Sequence, residues 1–202
     1  MSGLQDLVAL IRADTPLIVI ETPDEPRVVE LFRQSLMHVW RALFRWSITE
    51  GLRRIDLDSE DATDVPADAG STLQAIREAT QRGVYLLLDF APYLGYATTQ
   101  RQIRDLVLRR GSLPHVLVLV GTKVELPAEL EPMAVRYRPQ LPNEALLQKI
   151  VSEEAQAYAR EHGGKRVEAD AEAVRQIVRV ICSVMCTSSE ASSSFCIWMT
   201  RC

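Results

Sequence analysis

Leu17-Ile18-Val19-Ile20 runs directly into Glu21-Thr22-Pro23-Asp24-Glu25-Pro26. Four apolar residues followed at once by turn and capping residues read as a short buried strand that leads into a helix. Thr22 stands as the helix N-cap, Pro23 as the first helical residue and Glu25 as the capping-box acid. In an α/β nucleotide-binding domain this junction carries the phosphate-binding loop. Glycines there let backbone N–H groups approach the phosphates, and a lysine reaches the charge. Here the junction has no glycine and no lysine, but three carboxylates and two prolines. Each proline removes an N–H and each carboxylate repels an anion. The layout is that of a nucleotide-binding fold, with a phosphate site that rejects phosphate.

Outward from this junction, strand and helix patterns alternate, which predicts an α/β fold with a doubly wound parallel sheet. Leu4 to Arg12 has helical spacing, and Val28 to Val39 continues the helix after the first strand. Leu43 to Ile48 and Val84 to Phe90 read as strands, Thr72 to Thr80 and Thr98 to Arg110 as helices. Val116 to Val120 and Ala134 to Tyr137 are the last two strands. The acid-rich stretch from Gly51 to Gly70 has little apolar periodicity and reads as an exposed loop. Asn143 to His162 and Asp170 to Val180 are helical patterns separated by Gly163-Gly164. The expected organisation is an α/β domain over 1–140, a helical lid piece over 141–181 and an aberrant tail over 182–202.

With 202 residues, 47% of them hydrophobic, the chain is long enough for one core with a small appendage. The net charge of −4 gives no electrostatic reason to expect nucleic acid or an anionic membrane as partner. No apolar run approaches the roughly 20 residues that span a bilayer, and Met1 to Asp14 reads as an amphipathic helix, not a signal peptide. The expected compartment is a bacterial cytoplasm or an organelle stroma.

The order of elements resembles an AAA+ ATPase module with a degenerate nucleotide site and a small C-terminal helical lid. Val84-Tyr85-Leu86-Leu87-Leu88-Asp89-Phe90 resembles a Walker B strand. Val118-Leu119-Val120-Gly121-Thr122-Lys123 stands where that family has its sensor strand, and Leu141-Pro142-Asn143-Glu144-Ala145-Leu146-Leu147 resembles the entry to the lid. Within the superfamily the chain is most similar to the N-terminal half of the uncharacterised AAA ATPases first described as hypothetical chloroplast reading frames. The pattern around Leu4 to Thr22, the Phe44-Arg45-Trp46-Ser47 strand and Tyr85 to Phe90 carry that likeness. It implies a degenerate ATPase-like module, with the working Walker motifs, and the ATP and magnesium they bind, in a second half absent from this chain.

The resemblance also implies where a vestigial nucleotide cleft would lie: Thr22, Asp89 and Thr122 are its cofactor-binding candidates. Each has a plainer reading. Glu21 to Glu25 is also an ordinary acidic first turn of a capped helix. Asp89 is also an acid at a strand end. It lacks the following glutamate that activates water in a working ATPase, because Phe90 stands there. Lys123 is also a loop residue, and Arg136 and Arg138 read as the solvated or interface-facing side of the last strand, without the paired arginine-finger pattern. His38, His115 and His162 form no catalytic order, and Trp40, Trp46 and Trp198 read as packing residues. No catalytic residue and no metal site is expected, and this chain alone is expected to need no cofactor.

All four cysteines lie between Cys182 and Cys202, among six serines. Three readings stand side by side: a metal site on Cys182 and Cys186, a disordered serine-rich tail, and a shifted reading frame. Read from the third base of each codon, Met185-Cys186 gives Val and Trp198-Met199-Thr200 gives Asp-Asp, inside a stretch that permits an amphipathic helix with an N-cap. Three functions follow. The first is a non-catalytic regulatory or assembly module that pairs with an AAA+ ATPase domain or with itself. The others are a weak ATP-binding or ATPase domain using Asp89 and Thr122, and a free-standing protein-interaction domain.

Overall fold

A computed structural model describes residues 3–56, 61–62, 65–108 and 114–139, together with the isolated helical positions Ser152, Arg160 and Gln176. The chain divides into two compact units, Met1–Gln140 and Leu141–Cys202, and every element named below belongs to the first. Apart from those three helical positions, the two expected lid helices lie outside the described residues, as does the cysteine-rich tail.

The elements run α1 (Gly3–Arg12), β1 (Leu17–Glu21), α2 (Glu25–Leu36), β2 (Ala42–Ser47), β3 (Gly51–Arg54), β4 (Asp61–Ala62), α3 (Ala69–Glu78), β5 (Gly83–Leu88), α4 (Ala97–Leu108), β6 (Val116–Gly121) and β7 (Ala134–Arg136). The sheet has seven strands in the order β4-β3-β2-β5-β6-β1-β7. Strands β2, β5, β6, β1 and β7 are parallel. The fold is α/β and AAA-like, as the element order predicts, but the sheet is mixed. The Gly51–Gly70 stretch, expected as loop, contributes the antiparallel strands β3 and β4. Its acids hide the pattern, while Gly51 at φ +70° makes the turn from β2 back along its edge.

Period-two alternation assigns each side chain to a face. Leu17 and Val19 of β1, Tyr85 and Leu87 of β5 and Leu117 and Leu119 of β6 pack with Leu73 and Ile76 of α3 and Ile103 and Val107 of α4. Ile18, Ile20, Leu86, Val118 and Val120 pack with Leu7 and Ile11 of α1 and Val28 and Phe32 of α2. The central strands are apolar throughout because both faces are covered.

Two details lock the sheet. The Trp46 indole donates to the Ala67 carbonyl at 3.0 Å and meets Phe90 and Tyr93 edge-on, with ring centroids 5.1 and 5.8 Å away. Tyr85 stacks on Phe44 at 4.8 Å, and its burial pushes the phenol up to about 12. A Cβ on Gly83 would lie 2.8 Å from the Tyr85 ring, so only glycine fits at the start of β5. Trp40, expected to pack, is instead fully exposed at 104%. It follows α2 in a loop that turns outward before β2 begins. Among the described residues, no helix is long and apolar enough to cross a membrane.

Candidate functional site

The chain leaves β1 towards β2 on one side of the sheet, while β7 lies on the other side of β1. A crevice at the carboxyl end of β1 is where open α/β sheets place ligands. Three neighbouring strands deliver Thr22, Asp89 and Thr122 to this end of the sheet. The Thr22 N–H donates to the Gly121 carbonyl at 2.9 Å, and the Asp89 N–H donates to the Val120 carbonyl at 2.8 Å. Asp89 adopts φ +49°, a left-handed conformation that aspartate tolerates, and its side chain is exposed at the turn after β5. Gly121 leaves it room: a Cβ there would come within 3.4 Å of the Asp89 carboxylate. Phe90 points the other way and is fully buried against Trp46. The position following Asp89 therefore faces the core, not the crevice.

The loop after β1 is organised differently from the sequence expectation. Helix α2 begins at Glu25, not at Pro23, and its N-cap is Asp24. The Asp24 carboxylate accepts from the Arg27 N–H at 3.1 Å, and Pro26 occupies the first turn. Thr22 sits one step upstream, where its hydroxyl accepts from the Asp24 N–H at 3.1 Å. An aspartate caps at least as well as a threonine, and a side-chain turn at Thr22 uses the two residues before it.

Glu21 ties the crevice together. One of its carboxylate oxygens accepts from the Val124 N–H at 3.0 Å and from Arg136 at 3.3 Å. Arg136 also donates to the Val124 carbonyl at 3.3 Å and to Glu131 at 3.0 Å. Its positive charge is reinforced by the hydrogen bond to Glu131 and, further, by Glu21. Arg136 is thus not simply a solvated strand residue; it clamps β7 and the loop after β6 onto the end of β1. Arg138 is exposed beyond β7. Lys123 pairs with Glu125 at 2.6 Å, both well exposed, which raises the amine and lowers the carboxyl.

Glu25 and Asp89 form a second electrostatic pair. Burial, and then the Asp89 charge, push Glu25 above the usual carboxylate range, with Arg45 pulling it back. Arg45 is held by Glu50 at 2.6 Å. The sequence gave no signal for either link: Glu21 and Arg136 are 115 positions apart, and Glu25 and Asp89 belong to different strand–helix units.

Residues 4–138 match the model of the SpoVK-like AAA ATPase N-terminal domain. The chain belongs to this family. The domain is also similar to two proteins called uncharacterized AAA domain-containing protein ycf46. It is 23% identical to the one from Trieres chinensis over 140 residues, covering 69% of this chain and 28% of that protein. It is 26% identical to the one from Guillardia theta over 131 residues, covering 64% of this chain and 26% of that protein. The chain therefore spans about a quarter of the length of these relatives.

Proposed function

We propose that this domain is a non-catalytic regulatory or assembly module of an AAA ATPase, acting in a bacterial cytoplasm or organelle stroma by pairing with ATPase domains or with itself. The Glu21 carboxylate carries the reading. It takes the Val124 N–H and the Arg136 guanidinium, the donors at this end of β1 that an anionic ligand would use. Asp24 takes an N–H of the first turn of α2, the other natural phosphate donor. A phosphate entering here would meet Glu21, Asp24, Glu25 and Asp89. Each close carboxylate would cost on the order of 1–4 kcal/mol at surface-like dielectric. The residues present do not fit a nucleoside triphosphate with magnesium. Phe90, turned into the core, leaves Asp89 without a neighbouring general base.

Isothermal calorimetry of the whole chain with ATP and magnesium tests this. The expected result is no saturable heat at millimolar nucleotide; sub-millimolar binding overturns the reading in favour of a weak nucleotide-binding domain. Co-purification with an ATPase-bearing subunit distinguishes a regulatory module from a free-standing interaction domain.

A further inference from the structure

Single exposed apolar side chains are ordinary on a protein surface. Here the largest of them are sorted to the two ends of one sheet and flanked by opposite charges. At the amino ends of the parallel strands, Trp40 is 104% exposed and Met37 85% exposed. Arg12 is fixed beside them by donating to the His38 carbonyl at 3.2 Å. Arg82 is brought alongside by the Ala42–Gly83 register of β2 and β5, and is exposed with no ion pair or hydrogen bond among the described residues. The neighbouring Arg41 and Asp14 neutralise each other. At the carboxyl ends, Tyr96 is 63% and Ile48 48% exposed. Next to them stand exposed Asp89 and Glu25, a like-charge pair, while Arg45 is engaged with Glu50 and Arg53 lies opposite Arg45 on β3.

We propose that the occupant of both surfaces is a second copy of this chain, docking head to tail. The Trp40–Met37 end of one copy, with Arg12 and Arg82, seats on the Tyr96–Ile48 end of the next, with Asp89 and Glu25. A large aromatic anchor between apolar side chains, ringed by charges of opposite sign, is the composition of an interface centre and rim. An incoming guanidinium relieves the Glu25–Asp89 repulsion, and an incoming carboxylate gives Arg82 a partner. Two unlike surfaces make the contact heterologous, so it propagates beyond a dimer unless the rotation closes a ring. The contact rests on the assembly reading above and gives it a surface. Its failure and the nucleotide result remain separate, because one is read as association state and the other as binding heat.

Sedimentation velocity of the whole chain over a concentration series tests it. The expected result is concentration-dependent association past a dimer that weakens as salt rises. Trp40→Ala, at a fully exposed position, and the double variant Tyr96→Ala/Asp89→Asn, which keeps a residue tolerant of left-handed backbone at 89, are each expected to weaken association at least about tenfold. Circular dichroism melts establish that both remain folded. Mixed together, each supplies the end the other lacks, so the expected product is a 1:1 complex that grows no further. A chain that stays monomeric throughout, an association unmoved by either variant, or a mixture that fails to pair overturns the proposal.

Discussion

Arg136 on the edge strand β7 reaches Glu21 at the end of β1, Nη1 to Oε1 3.3 Å, and the same carboxylate oxygen holds the Val124 N–H at 3.0 Å. One acid thereby joins β1, the loop after β6 and β7, whose three-residue pairing to β1 is short. Both side chains are more than a third exposed, 39% and 35%, so solvent screens the ion pair. A double-mutant cycle of Glu21→Gln and Arg136→Ala, read by urea unfolding, is expected to give a coupling of about 0.5–1 kcal/mol. Glu21→Ala is expected to cost about 1–2 kcal/mol, because the buried Val124 loses its acceptor. Hydrogen exchange at the Val124 amide should speed up in that variant; unchanged protection there would show that the carboxylate does not hold the loop.

The cap of α2 is Asp24, with Thr22 supporting it from outside the helix. Asp24→Ala is expected to destabilise the fold by about 0.5–2 kcal/mol, and Thr22→Ala by less. The reverse order in thermal melts would restore the helix start at Pro23.

Glu25 titrates above the usual carboxylate range because of burial and then Asp89. A raised folded-state value means that the folded chain holds the proton more tightly than the unfolded chain. Its contribution to stability is therefore greatest below the unfolded value, near 4.5, and is lost as pH rises through the folded one. NMR titration is expected to show the Glu25 carboxyl moving down in Asp89→Asn without returning fully, since burial remains. Melts of Glu25→Gln are expected to lack this segment of the pH dependence. A Glu25 value indifferent to Asp89 would separate the two groups.

The core prediction concerns β5 and α2. Gly83→Ala places a methyl against the buried Tyr85 ring and is expected to cost about 1–3 kcal/mol. Phe32→Ala, on the opposite face, is expected to cost about 3–5 kcal/mol. Chemical denaturation measures both, and a neutral Gly83→Ala would show that Tyr85 moves aside freely.

Much of this fold was legible in the chain. The apolar runs Leu17 to Ile20, Val84 to Leu88 and Val116 to Val120 are strands because residues buried on both faces must be apolar on both. The α1, α2 and α4 patterns follow from one buried stripe each. Strands β3 and β4 were not legible: their stretch is rich in acids, and short edge strands carry charge on the side that faces water. The α2 boundary missed by two residues because Thr22 and Asp24 are both competent caps and local chemistry does not rank them by where the chain comes from.

The sequence by itself determined that the junction after β1 lacks the glycines and lysine of a phosphate loop, and that Phe90 stands where a catalytic acid would. These are matters of residue identity and need no partner. Only the tertiary structure decided what the carboxylates do there. Glu21 became a clamp because β7 returns beside β1 and brings Arg136 within reach, and Glu25 became a strained acid because β5 sets Asp89 near it. Charges interact through space over a few ångströms, and which charges become neighbours is fixed by strand order, not by spacing along the chain.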